Sequence, residues 1–244
     1  MKVIVAQNET ELFRLAADLV EAEVRADPAC CLGLATGSSP VGMYKELARR
    51  CREEGLDFSK VSSVNLDEYA GLPGEHDQSY RYFMNNELFD HINIDKANTY
   101  VAKGVGDIEE NLREFRAVIA SKTRAIQVLG IGPDGHIAFN EPGEQLYYHA
   151  HRETLDESTI DANARFFASR DDVPREALTM GIGEIMEAKK LLTIIGGSRK
   201  EAAATKLLLT DEITTACPVT MIKVHPDSTV LLTQELADKI GYKG

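Results

Sequence analysis

Short runs rich in β-branched residues alternate with amphipathic stretches of helical length, and this alternation constrains the fold more than any other feature of the chain. Val3-Ile4-Val5 reads as a strand, and Asn8 with Glu11 forms a capping-box start for a helix to about Ala26. Cys31-Leu32-Gly33-Leu34-Ala35 is the next buried strand, followed by a Gly/Ser turn and a helix entered at Pro40, a residue suited to the first helical turn. Val61 to Leu66 is a third strand, and Ser79 opens a helix through Phe89. Asp107 with Glu110 caps a helix through about Ser121, before the strand Ile126-Gln127-Val128-Leu129. Leu191 to Ile195 is a further strand, and Ser198 with Glu201 caps the helix after it. Thr229 to Leu232 is the last strand, ahead of a short C-terminal helix. Strands separated by helices pair in parallel through right-handed crossovers. The expectation is one α/β domain over residues 1–244, a doubly wound, mostly parallel Rossmann-like sheet with helices on both faces.

With 43% of its 244 residues hydrophobic, the chain can bury one sizeable core. The formal net charge of −12 argues against nucleic acid and anionic membranes as partners, since no basic patch is present to displace counterions. A small anion would need a local cradle of backbone N–H groups and one or two cations. No apolar run approaches the roughly 18 residues of a membrane span, and the start Met1-Lys2-Val3-Ile4-Val5 does not read as a signal peptide. Cys30, Cys31, Cys51 and Cys217 form no C-x-x-C pair, so neither a disulfide framework nor a zinc knuckle is indicated. The expected location is the cytoplasm.

From about Glu144 to Asp172 the rhythm breaks. The segment is polar and weakly periodic, and reads either as a surface excursion or as a lid, at about 150–172, over an active site. Ligands of open parallel sheets bind at the carboxyl ends of strands, so the loops there have priority. Thr36-Gly37-Ser38-Ser39-Pro40 has the glycine, the hydroxyls and the helix start that suit a phosphate, or it is a plain turn. Asn65-Leu66-Asp67-Glu68 ends a strand in two adjacent carboxyls; one could have a raised pKa, and Asp67 could then act as a general base on a carbon acid, or both are a solvated turn. Gly130, Gly132 and Gly135 satisfy G-x-G-x-x-G, but Pro133 stiffens the turn and Asp134 places negative charge where a pyrophosphate would sit. That leaves His136 between Asp134 and Glu141, a set suited to relaying protons; no second histidine stands at helical spacing for a metal. Lys200 in Gly196-Gly197-Ser198-Arg199-Lys200 opposes the helix dipole unless it serves an anion, the alternative being a solvated lysine.

These residues together resemble glucosamine-6-phosphate deaminases. The resemblance rests on Asn65-Leu66-Asp67-Glu68-Tyr69-Ala70-Gly71-Leu72-Pro73 and on Gly132-Pro133-Asp134-Gly135-His136-Ile137-Ala138-Phe139-Asn140-Glu141-Pro142. Leu32-Gly33-Leu34-Ala35-Thr36-Gly37, Asn163-Ala164-Arg165-Phe166-Phe167 and Gly197-Ser198-Arg199-Lys200 add to it, in order from about Val3 to Leu232. It implies a fold of the deaminase and ribose-phosphate isomerase type and a sugar-phosphate substrate, with neither metal nor organic cofactor. It implies Asp67 as the base between C2 and C1, and His136 with Asp134 and Glu141 as the ring-opening relay. Gly37, Ser38, Ser39, Arg165 and Lys200 would bind the phosphate. 6-Phosphogluconolactonases share the Gly-x-Gly-Pro-Asp-Gly-His core but usually have Asp-Glu-Arg where this chain has Asp67-Glu68-Tyr69, and they continue differently after the histidine. A lactonase is therefore the alternative enzyme, and a non-catalytic sugar-phosphate sensor the alternative of another class. Longer family members carry an Arg and a Lys that bind an N-acetylated activator; here the stretch is His149-Ala150-His151-Arg152-Glu153-Thr154, with Glu153 where a cation is expected. Little allosteric activation, and a monomer in preference to a hexamer, are the expectations.

Overall fold

The computed structural model describes residues 1–197 and 199–244. Its strands are β1 (Lys2–Ala6), β2 (Cys31–Leu34), β3 (Ser62–Asn65), β4 (Asp67–Tyr69), β5 (Thr99–Tyr100), β6 (Arg124–Leu129), β7 (His151–Thr154), β8 (Glu176–Thr179), β9 (Leu191–Ile195) and β10 (Ser228–Thr233). The α-helices are α1 (Glu9–Ala26), α2 (Val41–Glu54), α3 (Tyr80–Glu87), α4 (Ile108–Ser121), α5 (Glu157–Asn163), α6 (Ile182–Met186), α7 (Glu201–Leu209) and α8 (Gln234–Ile240).

Seven strands form one parallel sheet in the order β1-β10-β9-β6-β2-β3-β5. From β2 the chain moves outward through β3 and β5, then returns to the other side of β2 at β6 and continues to β9 and β10. The direction of winding therefore reverses between β2 and β6, and their carboxyl ends open a crevice at that point. β2, β3, β6 and β9 are buried along their whole length, as central parallel strands covered on both faces must be.

The helices start where side chains can satisfy their first N–H groups. Asn8 accepts from the Glu11 N–H, and Ser79 Oγ from the Tyr82 N–H, both at 3.0 Å. Asp107 Oδ1 accepts from Glu109 and Glu110. The Glu11 carboxylate closes its box on the Gln7 N–H at 2.7 Å, one residue earlier than the usual pattern. Helix α7 begins at Glu201; the cap expected at Ser198 lies outside the described residues.

Two expectations need correction. The strand Val61 to Leu66 ends at Asn65, and the chain turns at Leu66 into a second, antiparallel sheet of order β4-β8-β7. The segment 144–172 is not irregular throughout: it contains β7, α5 and 3₁₀ turns at Ala164–Phe166 and Arg170–Asp172. Both features depend on distant partners, β4 and β7 each pairing with β8. A small apolar cluster of Tyr69, Phe139, Leu155, Ile160, Val173 and Ala177 fastens this sheet and α5 together, apart from the main core. Cys30, Cys31 and Cys217 are buried and Cys51 partly so, all as free thiols. Among the described residues no helix is long and apolar enough to cross a membrane.

Candidate active site

At the reversal point the loops after β2, β6 and β9, together with Asp67 and the α5 segment, enclose a cleft of about 350 Å³. Gly37, Ser38, Ser39, Asp67, His136, Arg165 and Lys200 all line it. Asp134 and Glu141 stand behind His136 and reach the cleft through it. All nine residues singled out from the sequence thus converge on one place.

The loop after β6 is built around the imidazole. His136 Nδ1 lies 3.0 Å from Asp134 Oδ1 and 3.3 Å from Glu141 Oε2, and the His136 backbone N–H donates to Asp134 Oδ1 at 3.1 Å. Gly132 is required beside them, because a Cβ there would fall 2.4 Å from the His136 ring. Glu141 returns to the ring because Ala138 adopts φ 55°, the single non-glycine residue with positive φ among those described. Asn140 holds that turn: its side-chain N–H groups donate to the Ile137 and Met180 carbonyls, both at 2.9 Å. Asn140 is a positioning residue that the sequence reading passed over, although it stands inside the loop's motif. Burial disfavours the imidazolium, yet the two carboxylates outweigh it and raise His136 to about 9. Burial likewise works against the Asp134 carboxylate, but His136 holds it below its ordinary range. Both Glu141 oxygens are buried without a hydrogen-bond partner, so its contact with the ring is ionic. The three donors lie within 4.8 Å of one another, close enough to ligate a small cation as well as to relay a proton.

Asp67 and Glu68 are adjacent but do different things, because successive side chains of a strand point to opposite faces. Glu68 turns away from the cleft to cap α3. Its Oε1 accepts from the Tyr69 and Tyr80 N–H groups, each at 2.9 Å, and its Oε2 from Arg81 at 3.0 Å. Asp67 faces the cleft with Oδ1 buried and unpartnered. Burial first, then the Glu68 charge, push Asp67 up to about 8, with His136 opposing them. Burial also raises Glu68 to about 7 against the pull of its three backbone donors.

The opposite end of the cleft is cationic. Arg165, on the 3₁₀ turn after α5, lies over the Phe166 ring at 4.6 Å. Lys200 occupies the cap position before α7 and turns its ammonium back to donate to the Ile131 carbonyl, so it does not oppose the helix dipole from inside the first turn. Burial lowers Lys200 to about 8, with Asp134 opposing and Arg165 and Arg199 adding to the effect. Arg199 lines the same wall and was not singled out from the sequence. Facing these cations, Gly37 has φ 83°, and nothing lies within 4 Å of where a Cβ would be. Backbone, hydroxyls and cations together make an anion cradle at a helix N-terminus.

Comparison with known proteins bears on what the cleft receives. Residues 6–231 match the family described as glucosamine-6-phosphate isomerases/6-phosphogluconolactonase. A Clostridium perfringens protein named glucosamine-6-phosphate deaminase is 51% identical over 97% of this chain and 98% of its own length. The structure of a monomeric glucosamine-6-phosphate deaminase superposes with a TM-score of 0.94 at 40% identity, covering 98% of this chain and 99% of that one. A 6-phosphogluconolactonase from Thermotoga maritima superposes at 0.74 with 18% identity over 95% of this chain and 98% of its own, a likeness of fold alone.

Proposed function

Because the chain belongs to the glucosamine-6-phosphate deaminases, within the glucosamine-6-phosphate isomerase/6-phosphogluconolactonase family, we propose that it converts glucosamine 6-phosphate and water to fructose 6-phosphate and ammonia. The observation that carries the assignment of roles is Asp67. Its carboxyl is buried, has a free oxygen, and serves no structural contact while its neighbour Glu68 serves three.

The steps follow from the substrate's chemistry. The pyranose must open before its C2 proton becomes acidic, and His136 passes the anomeric hydroxyl proton to the ring oxygen, with Asp134 and Glu141 holding its charge. Asp67 then takes the C2 proton and delivers it to C1, through an enolamine, leaving an imine at C2. Water adds at C2, the C–N bond breaks, and ammonia leaves. Every step is a proton transfer or an addition driven by one, so positioned acids and bases suffice, each contributing on the order of 10²–10⁴-fold. Gly37, Ser38 and Ser39 receive the phosphate, Arg165 clamps it through two parallel hydrogen bonds, and Lys200 acts as a point charge.

Arg165 reaches the phosphate from a lid. His151–Thr154 is paired with β8 in β7, so the moving part of the expected lid at 150–172 begins after Thr154. Limited proteolysis that ignored substrate over this segment would refute a lid. The chain acts as a monomer in the cytoplasm, a reading supported by its likeness to a monomeric deaminase and by its four free thiols. Glu153 lies 2.9 Å from His151 Nε2 and offers an activator's anion no cation. A sigmoidal rate curve made hyperbolic by N-acetylglucosamine 6-phosphate would overturn the absence of activation.

The deciding assay is glucosamine 6-phosphate with protein, with and without a chelator, following ammonia and ketose phosphate together. Both products should rise in step in each tube. No ammonia would refute the reading, and ammonia lost only with chelator would assign the Asp134, His136 and Glu141 donors to a metal. Asp67→Asn abolishes deamination, whereas lactone hydrolysis involves no C2 proton and would survive it.

A further inference from the structure

Almost nothing polar fastens the lid to the body of the protein. Among the described residues, the hydrogen bonds and ion pairs of residues 156–173 stay within the segment or go to Arg175 at its exit, with one exception. Asn163, the last residue of α5, donates from Nδ2 to the Tyr69 hydroxyl at 2.9 Å. Beyond Arg165, Phe167 sets its ring edge-on to the same tyrosine at 5.8 Å. Asn163 and Phe167 bracket the 3₁₀ turn Ala164–Phe166 that carries Arg165, so one side chain holds that turn at both ends.

Tyr69 is the fixed member of this contact. It lies on β4, two residues after Asp67 and on the same side of the strand. β4 pairs with β8, and Glu68 ties it to α3 through the Tyr80 and Arg81 N–H groups, so the strand cannot easily yield. The Tyr69 ring packs at 4.9 Å on Tyr80 and 5.4 Å on Phe139, which line the cleft; Tyr69 is 2% exposed and does not. The ring alone satisfies that apolar cluster, and the hydroxyl serves Asn163. Resting on the deaminase reading for its substrate, we infer that Tyr69 is a positioning residue whose hydroxyl pins Asn163, so that Arg165 closes on the phosphate of a sugar whose C2 lies at Asp67. One rigid strand then sets both ends of the substrate: Asp67 directly, and Arg165 through the pinned turn. Tyr69 touches no substrate atom and acts only through the lid.

Tyr69→Phe keeps the ring and its aromatic contacts and removes only the hydroxyl. It should raise the KM for glucosamine 6-phosphate about 2–10-fold, the worth of one hydrogen bond, with a smaller effect on kcat. The rise should vanish in an Arg165→Ala background, because the pin works through that guanidinium, and in an Asn163→Ala background, because the pin is already lost. Trypsin reads the same bond without substrate. Cleavage after Arg165 or Arg170 in the empty protein follows the open population of the lid, so Tyr69→Phe and Asn163→Ala should each speed it about 2–10-fold and leave cleavage elsewhere unchanged. A KM that does not move, a rise that persists in full in either background, or lid cleavage at the wild-type rate would overturn the pin. Cleavage that quickens along the whole chain would overturn it too, as the mark of a merely structural hydroxyl. Wild-type protein inactive on glucosamine 6-phosphate would instead refute the deaminase reading, and the trypsin rates would still decide whether Tyr69 pins the lid.

Discussion

Glu141→Gln isolates the electrostatics of the relay. The wild-type imidazole is raised from an ordinary 6.5 to about 9, against the opposing effect of burial, by two carboxylates at 3.0 and 3.3 Å. Two unit charges 3.3 Å apart at an effective dielectric constant of about 20 attract by roughly 5 kcal/mol, which sets a ceiling on what Glu141 supplies before its own lost solvation is counted. An opposite charge at this range ordinarily moves a pKa by about 1–3 units. Glutamine fills the same space and keeps the burial, so His136 should fall to about 7, a change of roughly 3 kcal/mol. NMR titration of the His136 Cε1–H, assigned by its loss in His136→Gln, measures this directly. The falling limb of the kcat/KM profile should move down by the same amount if the imidazolium is the acid. Stability carries a third signature. A raised folded-state pKa on a histidine stabilises below 6.5 and loses that contribution as pH rises through about 9. The variant should therefore lose less stability over that interval than the wild type. A His136 still titrating near 9 would show that Glu141 does not hold the ring's charge, and the three-residue relay would fail.

Three further outcomes follow from the site. Asp67→Asn should abolish turnover yet stabilise the fold at neutral pH: a carboxyl raised to about 8 by burial destabilises increasingly as pH rises from about 4 to about 8, by on the order of a few kcal/mol, and urea unfolding across that range reads the gain. Gly132→Ala places a Cβ 2.4 Å from the His136 ring and 2.6 Å from Asp134 Oδ1, so kcat should drop by about 10²–10⁴ with an unchanged circular dichroism spectrum. Arg165→Ala and Lys200→Ala should each raise the KM for the sugar phosphate by about 10–100-fold, more than they lower kcat, with Arg165→Lys in between because it keeps the charge and loses the bidentate pair.

The parts of the fold that were legible are those whose signal is local. β9 forms at its expected bounds, and β1, β6 and β10 lie within two residues of theirs: β6 and β9 are buried along their whole length and β10 nearly so, while β1, at the sheet edge and only partly covered, is legible from its β-branched run Val3-Ile4-Val5. The starts of α1, α3 and α4 were legible because Asn8, Ser79 and Asp107 each cap their own helix. What escaped reading was short and non-local. β4 is Asp-Glu-Tyr and β5 two residues, too little for periodicity, and β4 exists only because β8, more than a hundred residues later, pairs with it. Helix α5 buries only Thr159 and Ile160, and its polar remainder looks like loop.

The site divides along the same line. Asp134, His136 and Glu141 are legible as one set; the turn at Ala138 and the tethers of Asn140 that return Glu141 to the ring are not. Asp67 is legible as the candidate base; the strand alternation that turns Glu68 away to cap α3 is not. Once these are placed, the charges at the two ends of the cleft acquire a common logic. Burial leaves Asp67 near 8 and brings Lys200 down to about 8, so in the empty site near neutral pH Asp67 tends to hold its proton and Lys200 holds its charge weakly. A phosphate beside Lys200 favours the ammonium, and an amino group protonated beside Asp67 favours the carboxylate. On the roles proposed above, a substrate that is anionic at one end and cationic at C2 would drive both groups into the states the reaction needs. A sugar phosphate without the amine would correct only the first and leave Asp67 protonated, so it should bind the cleft without losing its C2 proton to solvent deuterium, and exchange at C2 at the rate of the amino sugar would refute this.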